Sequence, residues 1–307
     1  MTTPVHIPVL VAEVVEALGV KPGGSYIDGT VGAGGHSAAI LDRAGAAGRI
    51  LGIDADPDAI RLAETRLRKY GQAVVLVNDN FVNIDRVARE HGFVLPDGIL
   101  LDLGLSSMQV ETAERGFSFQ LDAPLDMRFS PAQEITAADI VNIYSETELA
   151  RLLYEYGEER HSRRIAKEIV RSRPVRMTRD LVQIVDRAVG GRYGRVHPAT
   201  KTFQALRIAV NKELSNLETA LNKAVDLLGH GGRLVAISYH SLEDRIVKQF
   251  LKREAASCIC PPGTPVCQCG HAPTVKLVSK RVIVPSDVEV LMNPRSRSAR
   301  LRVAERL

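Results

Sequence analysis

Apolar residues form short runs in the first hundred residues, and helical patterns separate these runs. Four runs are apolar enough for strands buried on both faces: 25–30, 49–56, 73–81 and 97–104. The helical segments between them carry start and stop signals; one of them, DPDAIRLAETRLRKYG, opens on Asp-Pro and closes on Gly71. This alternation predicts parallel βαβ units in a doubly wound α/β sheet.

The pattern changes at about residue 112. Between 112 and 200 the apolar residues keep helical spacing and no buried strand is predicted. A long helical stretch, TFQALRIAVNKELSNLETALNKAVDLLGHGG, and a strand-like run at 233–241 then resume the α/β pattern, and two closing segments fit either helix or strand. We therefore predict a discontinuous Rossmann-like core, residues 1–111 and 201–307, interrupted by an all-helical insertion at 112–200.

A glycine-rich segment, YIDGTVGAGGHS, directly follows the first apolar run. A phosphate-binding Walker loop requires Gly-Lys-Ser/Thr, and no lysine follows here. A dinucleotide fingerprint fits Gly32 and Gly34 but meets Ser37 at its third position. The spacing Asp-x-Thr-x-Gly-x-Gly agrees better with a variant of the glycine loop of Rossmann-like methyltransferases that use S-adenosylmethionine (SAM). An acid near the loop, rather than a lysine, suits the positive sulfonium of SAM.

The next three strands each end on candidate ligand residues, where an open α/β sheet binds its ligands. Asp54 is placed to accept hydrogen bonds from ribose hydroxyls, or else it caps the next helix. Phe81 either stacks on an adenine ring or packs in the core, and Asp79 is placed to accept from the adenine amine. Asp102 ends the fourth strand, where a carboxylate is costly to bury without a partner. Asp102 is therefore the strongest candidate for the reaction itself.

Composition and charge narrow the class of protein. Hydrophobic residues make up 45% and charged residues 25% of the chain, as in soluble globular proteins. No apolar stretch reaches the length of a membrane span, and the N-terminal segment lacks the basic region of a secretory signal. We therefore expect a cytoplasmic protein with no membrane partner.

All four cysteines lie in one segment, CICPPGTPVCQCG, and without an export signal they should stay reduced. Two Cys-x-Cys pairs offer four thiolates, which are a reasonable ligand set for tetrahedral zinc, although Cys-x₂-Cys is the commoner spacing. The alternatives are a structural zinc site and reduced structural thiols. The residues concerned are Cys258, Cys260, Cys267 and Cys269.

The net charge is only +4, but basic residues are concentrated in two places. Residues 160–179 hold eight basic residues and one acid, Glu168. Five of the basic residues recur at helical spacing: Arg160, Arg163, Arg164, Lys167 and Arg171. Four more arginines lie near the C-terminus: Arg295, Arg297, Arg300 and Arg302. A charged run is usually a solvated face, but this imbalance favours an RNA-binding role for the helical insertion, with the tail contributing.

Several long blocks, in order, resemble the bacterial 16S ribosomal RNA cytosine-N4 methyltransferase family (RsmH, also called MraW). They include YIDGTVGAGGHS, GILLDLGLSS, HPATKTFQALRIAVNKEL and ISYHSLEDRIVK, and the resemblance covers nearly the whole chain. It implies transfer of a methyl group from SAM to the N4 amine of a decoding-region cytidine of 16S rRNA. The substrate would be naked RNA, the small subunit or a late assembly intermediate. The family positions that hold the cofactor match Gly34, Gly35, His36, Asp54, Phe81, Asp102 and Gln109.

The N4 assignment rests on that resemblance, because the Asp/Asn-Pro-Pro-aromatic motif of many amino-methyltransferases is absent and Asp102-Leu-Gly-Leu-Ser-Ser stands in its place. Cytosine N4 is a poor nucleophile, so catalysis needs an aligned amine and an acceptor for its N–H bonds. Asp102 is our first choice for the acceptor, and Tyr239 or His240 for contact with a flipped base. Alternatively, residues 241–244 simply begin a helix.

Other functions stay open at this point. The chain could be a methyltransferase of a small molecule or protein, a non-catalytic RNA-binding assembly factor or, more distantly, an NAD oxidoreductase, because fold alone does not choose the cofactor. The sequence does not decide the oligomeric state, for which a homodimer is one alternative.

Overall fold

The structure, a computed structural model, describes residues 7–191, 197–264 and 266–307. The chain divides into two compact units. The core unit joins residues up to Gly104 with Leu214–Leu307, and the helical unit is Leu105–Glu213. The helical unit begins at 105 rather than 112, where Leu105 packs against the hydrophobic core of this unit. It ends at 213 rather than 200, because Phe203, Leu206 and Val210 lie in that core.

The core unit is built on a seven-stranded sheet with the order β3-β2-β1-β4-β5-β7-β6. The first five strands pair in parallel, and β7 runs antiparallel to both β5 and β6. The doubly wound sheet predicted from the sequence is confirmed, and the ambiguous closing segments contain two strands. The strands are β1 (Ser25–Asp28), β2 (Arg49–Asp54), β3 (Val74–Asn78), β4 (Gly98–Asp102), β5 (Arg233–Ser238), β6 (Val275–Leu277) and β7 (Arg300–Arg306).

Helices cover the sheet in the core unit and make up most of the helical unit. In the described residues none of them is both long enough and apolar enough to span a lipid bilayer. The helices are α1 (Val11–Leu18), α2 (Gly35–Ala44), α3 (Pro57–Leu67), α4 (Ile84–Glu90), α5 (Ser107–Glu111), α6 (Ala137–Ile143), α7 (Glu146–Gly157), α8 (Ser162–Arg171), α9 (Thr178–Val189), α10 (Ala199–Asn211), α11 (Glu213–Leu227), α12 (Ser241–Glu254) and α13 (Asp287–Met292).

The long helical stretch predicted around residue 212 is two helices, α10 and α11. Lys212 has a left-handed backbone (φ 52°), which ends α10. The side chain of Asn211 favours this break, because its Nδ2 donates to the carbonyl oxygens of Met127 and Arg207 (2.8 and 2.9 Å). Its Oδ1 also accepts from the N–H of Phe129 (2.8 Å). Contacts distant in sequence therefore override the helical periodicity of this stretch.

The strand order places the topological switch point of the sheet between β1 and β4. Chain connections run outward from these two strands in opposite directions, which leaves a crevice at their carboxyl ends. Fully buried apolar residues, among them Ile27, Leu51, Ile99 and Leu101, fix both strands and their neighbours in the core. The packed core therefore fixes the position of the sheet edge at which the candidate residues lie.

The helical unit has its own core, and α8 shows its two faces clearly. Ile165, Ala166 and Ile169 are fully buried against the neighbouring helices. The basic residues predicted on the opposite face are exposed: Arg160, Arg163, Arg164, Lys167 and Arg171.

Candidate active site

The glycine loop is held to the first turn of α2 by Asp28, the last residue of β1. The carboxylate of Asp28 is buried; its Oδ2 accepts from the hydroxyl of Ser37 at 2.7 Å and its Oδ1 from the N–H of Thr30 at 3.2 Å. Burial raises the pKa of Asp28 above its usual range. Asp28 is therefore a positioning residue that ties the loop to α2.

Two glycines of the loop need left-handed backbone. Gly32 and Gly34 have φ angles of 51° and 76°. A Cβ on Gly34 would lie 3.1 Å from the side chain of Leu67, whereas a Cβ on Gly32 would meet nothing closer than 3.9 Å. The loop is therefore packed at Gly34 and presents bare, open backbone at Gly32. Gly35 begins α2, where a Cβ would collide with Pro8 at 2.3 Å.

Asp54, at the end of β2, closes the loop from the other side. Its Oδ2 accepts from the N–H of Gly32 and its Oδ1 from the N–H of Asp56, both at 2.9 Å. The cap of α3 is Asp56, which accepts from the N–H of Asp58 at 3.0 Å, so the alternative that Asp54 caps this helix is wrong. Burial raises the pKa of Asp54 to about 6.

Phe81 and Asp79 lie just after β3. Phe81 is half-buried and packs against the hydrophobic core. Oδ1 of Asp79 accepts from the side chain of Asn83 at 2.8 Å, and its Oδ2 is paired with Arg86. Contacts of these two residues with an adenine ring stay predictions.

Asp102 ends β4 at the switch point and is held by three groups. Its Oδ1 accepts a hydrogen bond of 2.9 Å from the hydroxyl of Tyr239, and its Oδ2 lies 3.6 Å from Nδ1 of His36. Its backbone N–H donates to the hydroxyl oxygen of Thr30 at 2.7 Å. Burial raises the pKa of Asp102 to about 6. Burial, together with the charge of Asp102, raises the pKa of Tyr239 far above its usual value, so Tyr239 stays a hydrogen-bond donor.

His36 has a defined orientation between Asp102 and the N-terminal segment. Its ring is buried, and Nε2 lies 2.8 Å from the carbonyl oxygen of Val9. A carbonyl only accepts, so Nε2 carries the hydrogen, and Nδ1 carries one only in the imidazolium. Nδ1 therefore faces Oδ2 of Asp102. In the imidazolium it presents an N–H to the carboxylate, and in the neutral ring it presents a lone pair to a protonated carboxyl.

His240 and Glu243 build the N-terminus of α12. Glu243 accepts from the backbone N–H of Tyr239 at 2.9 Å, and Nδ1 of His240 accepts from the N–H of Glu243 at 3.4 Å. Nε2 of His240 lies 3.1 Å from the Glu243 carboxylate. The alternative that residues 241–244 begin a helix is confirmed, and the cap of that helix is His240. Contact of Tyr239 or His240 with a base stays a prediction.

Comparison with known proteins decides the family. Residues 3–307 match the model of the MraW methylase family. The chain belongs to this family. A protein from Dehalococcoides mccartyi called Ribosomal RNA small subunit methyltransferase H is 60% identical, over 98% of this chain and 86% of that protein. Proteins of the same name are 52% identical in Thermomicrobium roseum (98% of this chain, 94% of that protein) and 51% identical in Heliobacterium modesticaldum (98% of each).

Membership in the MraW methylase family confirms the resemblance predicted from the sequence, and the chain is a SAM-dependent methyltransferase. The residues at the carboxyl ends of β1, β2 and β4 fit that cofactor. Backbone is bare at Gly32, whose N–H donates to Asp54, and Asp102 receives the hydroxyl of Tyr239 and binds Thr30 through its backbone; the pKa of each of these two carboxyls is about 6. Carboxylates that are ionised near neutral pH suit a ligand that carries a positive sulfonium.

Gln109 lies in the helical unit of this MraW methylase family member. Its side chain is buried, and its Oε1 accepts from the backbone N–H of Ser106 at 3.1 Å, while the hydroxyl of Ser106 accepts from the Gln109 N–H at 3.2 Å. This reciprocal capping starts α5. A cofactor contact of Gln109 stays a prediction.

Sequence reasoning assigned no role to four groups that the structure places around these residues: the Val9 carbonyl, the Thr30 and Ser37 hydroxyls, and the Glu243 carboxylate. Thr30 and Ser37 lie inside the glycine motif, where a hydroxyl near a buried acid is a usable signal. Val9 acts through its backbone, so no side-chain pattern reveals it.

The arginines near the C-terminus are less available than the sequence suggested. The carboxylate of Asp244 receives Nε of Arg302 at 2.8 Å and Nη1 of Arg300 at 3.1 Å. Arg302 is 17% exposed and Arg300 is 55% exposed. These two side chains therefore join β7 to α12, and an RNA contact of the C-terminal arginines stays a prediction.

Proposed function

We propose that this chain transfers a methyl group from SAM to the exocyclic N4 amine of a cytidine in the decoding region of 16S rRNA. The curated relatives at 50–60% identity are named for the RNA of the small ribosomal subunit. The observation that carries the chemistry is the carboxylate of Asp102, oriented by Tyr239 at the switch point of the sheet. An acceptor is what an exocyclic amine requires of the enzyme.

The reaction forms a bond from N4 to the methyl carbon while the bond from that carbon to sulfur breaks, and one proton leaves N4. When bound, SAM supplies the electrophilic methyl carbon. We assign acceptance of the proton to Asp102, because its pKa of about 6 leaves it ionised above neutral pH yet more basic than an ordinary aspartate. Tyr239 fixes Oδ1 of this carboxylate as a donor, and His36 faces Oδ2.

The glycine loop and the carboxylates around it would hold the cofactor. We propose that Asp54 accepts hydrogen bonds from the ribose hydroxyls, and that the backbone from Gly32 to Gly35 faces the ligand. The remaining assigned positions follow the family: His36, Phe81, Asp102 and Gln109. Asp54 also orders the loop through its two backbone hydrogen bonds. It would therefore support binding directly, through the ribose, and indirectly, through the shape of the loop.

The helical unit would bind the RNA backbone. It contains a cavity of about 780 Å³ whose lining includes Arg160, His161, Arg164, Arg187, His197 and Lys201, with Glu159 as the acid among the described residues that line it. The ring of His197 also stacks on Phe119, with centroids 5.0 Å apart. Arg173, by contrast, donates from Nε to the carbonyl of Val141 at 2.9 Å and serves the fold. Such a basic cavity suits phosphates and positions RNA without reading its sequence.

A ribosomal RNA substrate would place the activity in the cytoplasm, either on naked 16S rRNA or on the small subunit or a late assembly intermediate. The homodimer stays a prediction from the sequence.

The proposal is tested with methyl-labelled SAM and two substrates, naked 16S rRNA and small subunits that lack the modification. The labelled RNA is digested and the modified nucleoside identified. We expect label in N4-methylcytidine, and the active substrate identifies the form that the enzyme uses. Label in another nucleoside, or none in either substrate despite SAM binding, would contradict the proposal.

Two variants, one at each end of the β4 segment, connect this result to the site. Asp102→Asn keeps the shape but cannot take a proton, and we expect a rate loss of at least about a hundredfold. The matched control is Asp97→Asn, directly before β4, where Asp97 accepts from the N–H of Ser25 at 3.0 Å. Activity of Asp97→Asn should stay near that of the natural chain. Equal rates for the two variants would remove Asp102 from the chemistry.

A further inference from the structure

The four cysteines of the chain converge in the segment between α12 and β6, within the core unit. Their Sγ atoms all lie within 4.8 Å of one another. The shortest separations are 3.5 Å from Cys267 to both Cys258 and Cys269, 3.8 Å from Cys258 to Cys269, and 4.0 Å from Cys260 to Cys267. Cys-x-Cys pairs nine residues apart thus bring four sulfur atoms to one point.

These separations match a tetrahedral metal site. A Zn–S bond of about 2.3 Å and the tetrahedral angle require sulfur atoms about 3.8 Å apart. The four shortest separations, 3.5 to 4.0 Å, bracket that value. A disulfide, in contrast, needs sulfur atoms about 2.05 Å apart, so the sulfur atoms are arranged around a common centre and not in bonded pairs.

Backbone N–H groups point at three of the sulfurs. The N–H of Ile259 donates to Cys269, that of Cys260 to Cys258, and that of Gln268 to Cys260, each at 3.4 Å. Hydrogen bonds to sulfur stabilise thiolates, which are the form that binds metal. Each donor lies in one of the two Cys-x-Cys turns or directly beside it, so the turns themselves are shaped around the sulfur atoms.

Burial contributes little to the shape of this segment in the residues that the structure describes, 256–264 and 266–274. None of the described residues from 256 to 274 is buried, so the loop has no hydrophobic core of its own. Among the described residues, its hydrogen bonds to α12 lie towards its two ends. The N–H of Ala256 donates to the carbonyl of Arg253 at 3.1 Å, Nε2 of His271 lies 2.9 Å from the same carbonyl, and the N–H of Thr274 donates to the carbonyl of Glu254 at 2.9 Å. A loop of this kind, too small to fold by burial, is commonly ordered by a structural metal.

We propose that Cys258, Cys260, Cys267 and Cys269 bind one Zn²⁺ in a closed tetrahedral Cys₄ site that orders the loop between α12 and β6. Four protein ligands leave no open position, so the ion is structural. The site lies outside the residues assigned to methyl transfer, and the inference does not depend on the RNA substrate. Four thiolates at tetrahedral spacing suit Zn²⁺ or iron, and elemental analysis distinguishes the two metals.

The full-length chain offers a direct test, because every thiol it has belongs to this cluster. We expect about one zinc ion per chain by elemental analysis after purification without chelators. Under native conditions the four thiols should react slowly with a thiol reagent, and fast once a strong chelator has removed the metal. Replacement by Co²⁺ should give the absorption bands of a tetrahedral tetrathiolate.

The variant Cys258→Ser with Cys260→Ser should bind no zinc, whereas the control Gln268→Ala, which keeps the backbone N–H and all four thiols, should bind as much as the natural chain. The thiol measurement on the natural chain keeps the test valid if the double variant does not fold. A natural chain that holds no zinc, takes up none from a zinc buffer and exposes four fast-reacting thiols would overturn the proposal, as would bound iron in place of zinc.

Discussion

The hydroxyl of Tyr239, directly after β5, donates a hydrogen bond of 2.9 Å to Oδ1 of Asp102 at the end of β4. The two residues are 137 positions apart in the chain, and the parallel pairing of β4 with β5 brings them together. The bond orients the carboxylate that we assign to the chemistry. Because the phenol is kept protonated by burial and by the Asp102 charge, it acts as a fixed donor to the ionised form.

Tyr239→Phe should lower kcat by roughly tenfold to a hundredfold, because the carboxylate loses its orienting donor. Burial raises the pKa of Asp102, and the Tyr239 hydrogen bond opposes that rise. The acidic limb of the pH–rate profile, expected near pH 6 in the natural chain, should therefore move to higher pH in the variant. The control is Tyr26→Phe. Tyr26 is also buried, and its hydroxyl accepts from the N–H of Lys21 at 2.7 Å, so its loss should leave the acidic limb in place. An unchanged limb in Tyr239→Phe would mean that the bond does not tune Asp102.

Asp102→Asn should be inactive yet more stable than the natural chain above pH 6. The pKa of Asp102 is higher in the folded state than its usual 3.8, so the folded state binds the proton more tightly and its stability falls as pH rises from about 4 to 6. The amide avoids this cost. Urea unfolding without cofactor should show a gain of about 1–3 kcal/mol at pH 7.5 and no difference below pH 4. A less stable variant at pH 7.5 would show that the carboxylate is favourable to the fold.

Asp54→Asn should weaken binding of the cofactor and its demethylated product by about tenfold to a hundredfold. An amide has one acceptor oxygen, so the N–H of either Gly32 or Asp56 loses its partner and the loop loosens. Binding to the natural chain should also weaken as pH falls through about 6, where Asp54 becomes protonated. Calorimetric titration measures both effects. Asp58→Asn, on the exposed first turn of α3, should bind normally; equal affinity in the two variants would exclude Asp54 from binding.

Arg160→Ala with Arg164→Ala should weaken rRNA binding and reduce its salt dependence. Each phosphate contact that is lost should lower the slope of log affinity against log salt by about 0.7 to 0.9. Both arginines line the basic cavity of the helical unit. The control is Arg151→Ala, which removes one positive charge from an exposed position of α7 outside the cavity lining and should be compared with Arg160→Ala and Arg164→Ala singly. Equal slopes for the variants and the control would mean that the cavity does not receive phosphates.

Arg302→Met should lower the free energy of unfolding by about 2–4 kcal/mol, because it leaves the largely buried carboxylate of Asp244 without its main partner. Arg300→Met, which removes the more exposed partner of the same carboxylate, should cost under about 1 kcal/mol.

Acid unfolding provides a second measurement of this pair. Burial raises the pKa of Asp244, but the hydrogen bonds and charges of Arg302 and Arg300 outweigh this effect and hold the pKa below its usual range. Their contribution is therefore present above the unfolded pKa and is lost as pH falls through the lower folded one. The advantage of the natural chain over Arg302→Met should shrink below about pH 4. Equal costs for the two arginine variants would contradict the assigned difference in burial.

The local pattern of the sequence determined the strands, most helices and the location of the ligand edge. Strand runs and helical spacing are short-range properties, so they predicted β1 to β5 and placed Asp54 and Asp102 at strand ends. The same local signals left the closing segments undecided, because β6 has only three residues and the antiparallel pairing of β6 and β7 with the sheet is a long-range contact.

Only the tertiary structure decided which groups meet. The contacts of Asp102 with His36 and Tyr239 and the pairing of Asp244 with Arg302 join residues through the fold. Helical periodicity also ran through Lys212 without a signal, and side-chain hydrogen bonds from Asn211 to distant backbone accompany the break there. Periodicity reports which face of an element is apolar; the partner of a polar group depends on which elements pack together, and that is decided by burial over the whole chain.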